Sequence, residues 1–360
     1  MLSVVHHEST SMTVVAVVLA GGTGTRLYPA SSPETPKQFR AVGPGEGSLL
    51  TRAVRRAEAF ADEVVVLTRE AYADRVPEHT PDAEVLVEPA PKDTGPALTY
   101  AAFSLRERYE DPVLVCLPSD AHVGDDAAFA RDVERAVGLA RERAGLVTLG
   151  VEPTYAATGY GYLKPGEAVA ESESDGEDGD ETDEYGYEVE RFVEKPDAGA
   201  AARYREHGYL WNAGTFVWTP EAFLAAAADS ALAPLVDALE AGHPDPFDAV
   251  EPVSVDHGLL EGAEGVFVVP TAVEWDDLGT WDALERVLPA DGDGNVVDGN
   301  ALAIDAADCV LATDAGSHVS VVGVSDLVVA VHDDRVLVVP KSEAERVREV
   351  FAELEARGEF

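Results

Sequence analysis

The sequence predicts an α/β fold with a mostly parallel mixed sheet, followed by a small β region at the C-terminal end. Over residues 14–149, short runs of β-branched residues alternate with longer amphipathic stretches. Buried strands that alternate with helices are typical of parallel sheets with right-handed crossovers. After residue 290, short valine-rich runs follow one another with only turn residues between them, which indicates an all-β region. Ligands of such α/β sheets bind at the carboxyl ends of the strands.

Apolar and amphipathic runs predict the individual elements. The strands predicted for the main sheet are Val14–Ala20, Val64–Leu67, Val85–Val87, Val113–Leu117 and Leu146–Leu149. The helices predicted between them are Ser48–Ala61, Pro96–Arg108 and Ala127–Arg143. The C-terminal region is predicted to contain strands Ala301–Ile304, Val319–Val324, Leu327–Val331 and Val336–Val339 and a closing helix Ser342–Arg357. A turn cluster at 291–294 lies between the two patterns, so we predict a main domain over residues 12–290 and a C-terminal β region with its helix over residues 291–360.

Two segments have too few apolar residues to join either core. Residues 1–11 are polar and lack periodicity, so we expect a disordered tail there. Residues 171–184 contain nine acids among fourteen residues, and we expect a mobile acidic loop inside the main domain.

The acidic composition limits the kinds of partner. The chain has 68 acidic against 26 basic residues and a formal net charge of −42. Nucleic acids and anionic membrane surfaces repel such a protein, so we expect neither as a partner. Because the acids are spread over the whole chain, we expect a halophilic protein in a salt-rich cytoplasm that screens their repulsion. No apolar run approaches the roughly 18 residues that span a bilayer, and no signal peptide is expected because no basic region precedes the first apolar run.

Lysine is rare in this sequence. The five lysines are Lys37, Lys92, Lys164, Lys195 and Lys341. A lysine ammonium is a compact point charge that suits a phosphate group, and arginine does not replace it in every such role. We therefore expect phosphate-binding roles for Lys37 and Lys195 in particular, the alternative being that these few lysines remain by chance.

A glycine-rich turn follows the first predicted strand. Residues 19–27 read LAGGTGTRL, and such a turn lets backbone N–H groups approach a phosphate closely. A Walker A loop would need a lysine directly after Gly24, where Thr25 stands. A dinucleotide fingerprint would need a third glycine where Leu27 stands, which argues against an oxidoreductase. By itself, the turn leaves open both a phosphate or nucleotide site and a plain tight turn.

Residues 36–39 read PKQF, and together with the glycine-rich turn they resemble the signature of the sugar-phosphate nucleotidylyltransferase family. The Gln-Phe pair after the lysine is similar to the mannose-1-phosphate guanylyltransferase branch. The resemblance extends over about residues 13–350 and implies a Rossmann-like nucleotidyltransferase domain. It further implies that Arg26 and Lys37 hold the triphosphate as catalytic residues. The nucleotide-binding residues that it implies in the turn are Ala20, Gly21, Gly22, Gly24 and Thr25.

A second segment resembles the part of the family that lines the nucleoside pocket. Residues 88–96 read EPAPKDTGP, and the resemblance implies nucleotide binding by Glu88 and Thr94. The usual Arg-Asn pair of the family is replaced here by Lys92 and Asp93, so the roles of these two residues stay open.

Two segments resemble the metal-binding parts of the family. Residues 118–120 read PSD and residues 274–282 read EWDDLGTWD, which implies a Mg²⁺ ion bound by Asp120 and Asp277. Magnesium commonly takes only one or two protein carboxylates and completes its shell with water and phosphate oxygens. The histidine that usually follows the first aspartate is displaced by one position to His122, which therefore receives no role.

Three segments resemble the sugar side of the family: residues 158–163, 192–196 and 211–216, which read TGYGYL, FVEKP and WNAGTF. The resemblance implies substrate binding by Gly161, Glu194 and Asn212, and a catalytic role for Lys195 in neutralising the sugar phosphate. A glutamate beside a lysine is otherwise an ordinary surface pair worth less than about 1 kcal/mol. The functional interpretation therefore depends on the other motifs.

The resemblance implies an enzyme that transfers GMP from GTP to mannose 1-phosphate, giving GDP-mannose and pyrophosphate. Two alternatives stay open: the same reaction with UTP or dTTP and glucose 1-phosphate, and a non-catalytic homologue that binds a sugar nucleotide. A fused phosphomannose isomerase is not expected, because the residues after Pro289 already match the C-terminal β region of the transferase. A homodimer is possible.

Salt should activate this protein. Both implied substrates are polyanions, so a protein of net charge −42 repels them at low ionic strength. The Debye length falls from about 10 Å at 0.1 M salt to about 3 Å at 1 M, which removes long-range repulsion and leaves close contacts largely intact. We expect kcat/KM and the melting temperature to rise between roughly 0.1 and 2 M KCl at fixed free Mg²⁺. A steady loss of both with added salt would refute the halophilic interpretation.

Overall fold

A nine-stranded mixed sheet forms the centre of the protein in the computed structural model, which describes residues 12–170 and 184–360. The predicted tail at 1–11 lies outside the described residues. So does the predicted acidic loop at 171–184, apart from the backbone of its last residue.

The strands, numbered in chain order, are β1 Thr13–Leu19, β2 Glu63–Arg69, β3 Glu84–Glu88, β4 Pro112–Pro118, β5 His122–Val123, β6 Leu146–Val151, β7 Tyr162–Ala170, β8 Glu184–Val193, β9 Leu210–Trp218, β10 Val266–Thr271, β11 Trp275–Asp276, β12 Val296–Asp298, β13 Ala301–Ile304, β14 Val310–Thr313, β15 Val319–Val322, β16 Leu327–His332 and β17 Arg335–Pro340. The α-helices are α1 Leu49–Ala57, α2 Glu70–Ala73, α3 Val76–His79, α4 Thr94–Leu105, α5 Asp126–Arg143, α6 Ala198–Glu206, α7 Pro220–Ala228, α8 Ala233–Glu240, α9 Leu284–Val287 and α10 Val347–Arg357. Short 3₁₀ helices lie at Thr25–Leu27, Lys37–Phe39, Pro246–Ala249, Trp281–Ala283 and Lys341–Arg346, and a π-helical turn lies at Asp256–Leu260.

The central sheet has the strand order β3-β2-β1-β4-β9-β6-β10-β8-β7. Strands β3, β2, β1 and β4 run parallel, whereas β9 is antiparallel to both of its neighbours, β4 and β6. Strand β10 is parallel to β6 and antiparallel to β8. The predicted mostly parallel mixed sheet is therefore confirmed, with β9 as an antiparallel strand inside it.

Helices cover both faces of this sheet. Strand β1 reads TVVAVVL, and its residues Val15–Val18 are fully buried, as expected for a strand covered on both sides. On one face, α4, α7 and α8 contribute Leu98, Phe223 and Leu235 to the core. On the other face, α1 and α5 pack against the strands. The result is three layers with the carboxyl ends of β1 and β4 at one edge.

Capping side chains set where the helices of the main domain begin. The Asp125 carboxylate accepts from the N–H groups of Ala127 and Ala128 at 3.0 and 2.9 Å, at the start of α5. Asp93 accepts from the N–H of Thr94 at 2.7 Å, so α4 begins two residues before the predicted Pro96. Such local hydrogen bonds stabilise the first turn, whose N–H groups lack partners within the helix.

The C-terminal region consists of two small sheets, β12-β14-β16-β17 and β13-β15. All of their pairs are parallel except β16–β17. This confirms the predicted C-terminal β region, although strands β12 and β14 were not predicted. The predicted closing helix at Ser342–Arg357 is divided into a 3₁₀ helix and α10.

The C-terminal region shares a hydrophobic cluster with the loop that follows β1. Leu27 and Tyr28 of that loop pack in one cluster with Trp281 and with Val328 and Phe351 of the C-terminal region. The Trp281 indole also donates from Nε1 to the Tyr28 carbonyl at 2.8 Å. Because this cluster joins both sides of residue 290, the division into two domains at that point stays a prediction.

In the described part of the chain, no single helix combines the length and the apolar composition needed to cross a membrane. One bent pair, α7 and α8, meets that criterion only when the two helices are taken together.

The hydrogen bond from Trp281 should contribute measurably to stability. Trp281→Phe leaves the buried Tyr28 carbonyl without this donor, whereas Trp218→Phe removes an equally buried indole whose Nε1 has no partner among the described residues. We expect Trp281→Phe to lower the free energy of unfolding by about 1–3 kcal/mol more than the Trp218→Phe control. Urea unfolding of both variants measures the difference, and equal losses would contradict the importance of this bond.

Candidate active site

The glycine-rich turn after β1 is held by contacts that leave little room for side chains. Gly24 has φ 67°, and a Cβ atom there would lie 2.5 Å from Cγ of Lys37, so the lysine stem lies directly against the turn. The Ala20 carbonyl accepts from Gln38 Nε2 at 2.8 Å and from Thr68 Oγ1 at 3.0 Å. These contacts fix the turn and Lys37 relative to each other.

Lys37 and Asp120 form an ion pair at the carboxyl end of the sheet. The Lys37 ammonium contacts the Asp120 carboxylate, and both side chains are less than one-fifth exposed, at 16% and 18%. Asp120 follows β4, and the antiparallel pairing of β5 with β11 brings the segment after Asp120 alongside the segment before Asp277. Two aspartates far apart in sequence are thereby placed at one edge.

The Asp277 carboxyl lies partly buried beside these groups. Its Oδ1 atom accepts from the Gly279 N–H at 3.1 Å and from the Tyr160 hydroxyl at 3.2 Å. Burial raises the pKa of Asp277; the Lys37 charge opposes this rise, and the negative charges of Asp276 and Asp120 add to it. Asp277 thus carries a carboxylate without an ion-pair partner of its own among the described residues.

The donor set fits a hard divalent cation that shares its shell with substrate. Within residues 12–170 and 184–360, no group of three or more metal-ligating side chains is placed to hold an ion alone. Asp120 and Asp277 offer two carboxylates. Mg²⁺ commonly takes one or two carboxylates from a protein and fills the rest of its shell with water and substrate oxygens. The Lys37 ammonium against Asp120 shows that this carboxylate already attracts a cation.

A cavity of about 290 Å³ lies beside the turn and is lined by Gly21, Gly22, Glu88 and Thr94, among others. A Cβ atom on Gly21 would lie 3.0 Å from Oε1 of Glu88, so the turn passes close over this carboxyl group. Burial raises the pKa of Glu88 to about 7; Arg69 opposes the rise and Asp93 adds to it.

The two residues that depart from the family pattern have structural contacts. The Lys92 ammonium donates to the carbonyls of Phe247 and Val250 at 2.8 and 2.9 Å. Asp93 caps α4 with φ 72°, and the Thr94 hydroxyl accepts from the Val255 N–H at 2.9 Å. These contacts anchor the start of α4 to residues 247–255.

Four residues predicted for the sugar side lie together in a second cluster. A Cβ on Gly161 would lie 2.6 Å from Oε2 of Glu194, and the Gly161 carbonyl accepts from the Asn212 N–H at 2.9 Å. Oδ1 of Asn212 accepts from Thr148 Oγ1 at 2.9 Å and from the Gly214 N–H at 3.1 Å. Lys195 forms an ion pair with Glu194 and is 63% exposed, so its ammonium is accessible.

Asp256 belongs to this second cluster, although the sequence patterns did not single it out. Its Oδ1 atom accepts from Nδ2 of Asn212 at 2.8 Å. Burial and the neighbouring Glu194 charge raise the pKa of Asp256 to about 7. It begins the π-helical turn, and such turns are frequent at functional sites. A lone aspartate between valine and histidine carries no periodic signal, and only the fold places it against Asn212.

Three predicted or neighbouring residues, Arg26, Asp276 and His122, have partners outside these clusters. Arg26 is 3.5 Å from the Glu345 carboxylate of the C-terminal region and contacts neither cluster through any described hydrogen bond. Asp276 forms a buried ion pair with Arg286, at 2.5 Å from Nε and 3.2 Å from Nη2. His122 lies 3.9 Å from Glu274.

Comparison with known proteins gives matches along nearly the whole chain. Residues 15–293 match the nucleotidyl transferase family, and residues 299–354 match the MannoseP isomerase/GMP-like beta-helix domain. The xanthan biosynthesis protein XanB of Xanthomonas campestris is 32% identical over 96% of this chain and 74% of its own length. The mannose-1-phosphate guanylyltransferase of Escherichia coli is 31% identical over 93% of this chain and 72% of its own. The crystal structure of mannose-1-phosphate geranyltransferase from Thermus thermophilus has a TM-score of 0.85 and 33% identity, and the match covers 96% of this chain and 100% of that one.

Glu88 should make stability depend on pH. Its folded-state pKa of about 7 lies above the ordinary value of 4.5, so its stabilising contribution is complete below pH 4.5 and is lost as the pH rises through 7. Glu88→Gln removes this loss, and we expect its free energy of unfolding relative to wild type to increase by on the order of 2 kcal/mol between pH 5 and 8. Urea unfolding at both pH values in the same KCl buffer measures this change. Glu84→Gln, at the exposed start of the same strand, is the control; a pH-independent difference for Glu88→Gln would contradict the raised pKa.

Proposed function

Because the chain belongs to the nucleotidyl transferase family, we propose that it transfers GMP from GTP to mannose 1-phosphate, with GDP-mannose and pyrophosphate as products. The observation that carries the proposal is the meeting of Lys37, Asp120 and Asp277 beside the glycine-rich turn. Relatives named mannose-1-phosphate guanylyltransferase support the choice of substrates.

The triphosphate is proposed to lie along the turn. Backbone N–H groups of Gly21, Gly22, Gly24 and Thr25 approach its oxygens, with the Ala20 carbonyl holding the base of the turn. Lys37 neutralises the phosphate charge from its position against Gly24. Arg26 is proposed to bind the triphosphate as well. It would first leave the exposed Glu345, and breaking this 3.5 Å surface contact costs little free energy.

The guanine base is proposed to bind in the cavity beside Glu88 and Thr94. An ionised carboxylate accepts two hydrogen bonds, and the guanine edge offers two adjacent N–H donors. Uracil and thymine offer only one such donor between two carbonyl oxygens, so a carboxylate here favours guanine. The closeness of the Glu88 carboxyl to Gly21 supports this proposal, because the base would then bind next to the turn that holds the phosphates.

The sugar is proposed to bind at Gly161, Glu194 and Asn212. Glu194 accepts from sugar hydroxyls, and Gly161 leaves room for this carboxylate because any side chain would collide with it. Asp256 acts as a positioning residue, since its hydrogen bond at 2.8 Å orients the Asn212 amide. The exposed Lys195 neutralises the phosphate of mannose 1-phosphate.

The proposed reaction needs alignment and charge neutralisation more than proton transfer. A phosphate oxygen of mannose 1-phosphate attacks the α-phosphorus of GTP, the new P–O bond forms, and the bond to the β,γ-pyrophosphate breaks. The attacking oxygen is already anionic, so no strong general base is required. Lys37 is proposed to hold the triphosphate and Lys195 the sugar phosphate, and both neutralise charge.

Asp120 and Asp277 are the residues proposed to hold Mg²⁺. Such an ion would supply a Lewis acid that neutralises charge on the phosphate oxygens. Tyr160 and the Gly279 N–H hold one Asp277 oxygen in place at 3.2 and 3.1 Å, which leaves the other for the ion.

We further propose a halophilic, cytoplasmic enzyme that forms a homodimer. Net charge −42 supports the preference for salt. Several aliphatic side chains of the C-terminal region are about half exposed or more and support an association surface: Leu302, Ile304, Val322, Val336 and Val338.

The reaction is tested with purified protein, mannose 1-phosphate or glucose 1-phosphate, and each of the four nucleoside triphosphates, with pyrophosphate release as the measurement. We expect turnover with GTP and mannose 1-phosphate at least tenfold above every other pair. Turnover confined to UTP or dTTP would refute guanylyl transfer. An absence of turnover with every pair, alongside sugar-nucleotide binding, would identify a non-catalytic homologue.

Lysine variants separate the two substrate sites in the same assay. Lys195→Ala should raise the KM for mannose 1-phosphate by tenfold or more, because the residue lies in the sugar cluster, and should leave the KM for GTP within about twofold. Lys37→Ala should do the reverse and also lower kcat. Lys164→Ala is the control, since that lysine pairs with Glu190 and forms no ion pair with a residue of either cluster. An effect of both site variants on GTP alone would refute the proposed sugar site.

A further inference from the structure

A group of three arginines lies on one helix outside the site described above. Helix α1 reads LLTRAVRRA and contains Arg52, Arg55 and Arg56 but no acid. Residues spaced by three and four positions share one face of a helix, and like charges there repel one another. In a chain with 68 acids and 26 bases, three arginines on one helix without an acid form an unusual local concentration of positive charge.

The first and third arginines are partly or fully desolvated. Arg56 is 6% exposed and donates to Asp126 at 2.6 Å and to the Ala121 carbonyl at 3.2 Å. Arg52 donates to the carbonyls of Val42 and Pro44, and its buried Nε has no partner among the described residues. Burial lowers the pKa of Arg52, and the neighbouring Arg56 charge lowers it further. Arg56 therefore has a carboxylate partner, whereas Arg52 is bonded to neutral carbonyl groups.

Arg55 completes the group from the solvent side. It is exposed and forms no hydrogen bond or ion pair in the part of the chain that the structure describes. The Asp298 charge opposes the lowering of the Arg52 pKa by burial. Its carboxylate is not hydrogen-bonded to that guanidinium and instead accepts from the Gly43 N–H at 2.8 Å. Two guanidinium groups, those of Arg52 and Arg55, are thus left without a bonded carboxylate among the described residues.

These side chains line a cavity of about 180 Å³ between α1, the loop at 43–47 and β5. Its other walls include Leu49, His122 and Leu278. The His122 imidazole forms part of this wall and lies 3.9 Å from the Glu274 carboxylate. Two carboxylates also line the cavity: Asp126, which pairs with Arg56, and the exposed Glu46.

The cavity adjoins all three segments that form the proposed catalytic cluster. His122 is two residues from Asp120, Leu278 follows Asp277, and the loop at 43–47 follows the 3₁₀ helix that contains Lys37. An anion bound here would lie behind these segments and not within the nucleotide or sugar clusters.

We propose that this cavity is a second anion site that binds a phosphate group. Guanidinium groups bind phosphate through paired N–H donors, and a phosphate dianion matches the two guanidinium groups that lack a bonded carboxylate. Arg55 forms the outer side of the site and releases no internal contact when it binds. This proposal is independent of the transfer reaction, because binding here requires no turnover.

Phosphate binding is tested in the Lys37→Ala background, which weakens the catalytic phosphate site. Inorganic phosphate is titrated at constant ionic strength in KCl, with thermal unfolding and ³¹P line width as measurements. We expect saturable binding, and we expect Arg55→Glu to raise the Kd at least tenfold. Arg131→Glu reverses an exposed arginine on α5 that has no described partner, and it should leave the Kd within twofold. Equal effects of the two reversals, or no binding in the background protein, would overturn the proposal.

The source of the phosphate group is identified by repeating the titration with pyrophosphate and with mannose 1-phosphate. The probe that binds most tightly and remains sensitive to Arg55→Glu names the class of ligand. Insensitivity of all three probes to Arg55→Glu would overturn the assignment of the cavity. These results do not depend on catalysis, so they are separate from the test of guanylyl transfer.

Discussion

The ion pair between Lys37 and Asp120 is the contact around which the candidate site is organised. It connects the glycine-rich turn, through the lysine stem against Gly24, to the segment after β4. Asp276 is neutralised separately by Arg286. Asp277 is therefore the carboxylate of this group without an ion-pair partner among the described residues, and its partial burial raises its pKa. A bound cation would compensate it, because an unpaired buried charge is costly.

Residues of the C-terminal region also contact the loop segments that follow β1. The Arg40 guanidinium lies 3.0 Å from Asp333, and the Gly43 N–H donates to Asp298 at 2.8 Å. These two contacts join the segments after β1 to Asp298 in β12 and to Asp333 in the turn between β16 and β17. Loops at strand ends lack the ladder hydrogen bonds of the sheet, so packing of this kind limits their local opening. The C-terminal strands therefore act on the site through the loops that they hold, without lining it.

The strand and helix pattern of the main domain was largely predictable from sequence. Strands β1, β2, β3, β4 and β6 lie where continuous apolar runs predicted them, because strands buried on both faces consist almost wholly of apolar residues. The position of β9 between β4 and β6 was not predictable, since periodicity is local and does not specify strand order. Strands β12 and β14 of the C-terminal region were not predicted either, although β13, which is as short as β14, was.

The sequence by itself determined which chemical groups could be predicted for the candidate site, because its motifs contain a glycine-rich turn, lysines and two separated aspartates. Only the tertiary structure decided how these groups are paired. Asp276 and Asp277 are neighbours in sequence, yet one binds Arg286 and the other accepts from Tyr160. Successive residues of an extended chain point to opposite sides, and the partners on each side come from distant segments. The contact of Asp256 with Asn212 arises in the same way, from two residues that only the fold brings within hydrogen-bonding distance.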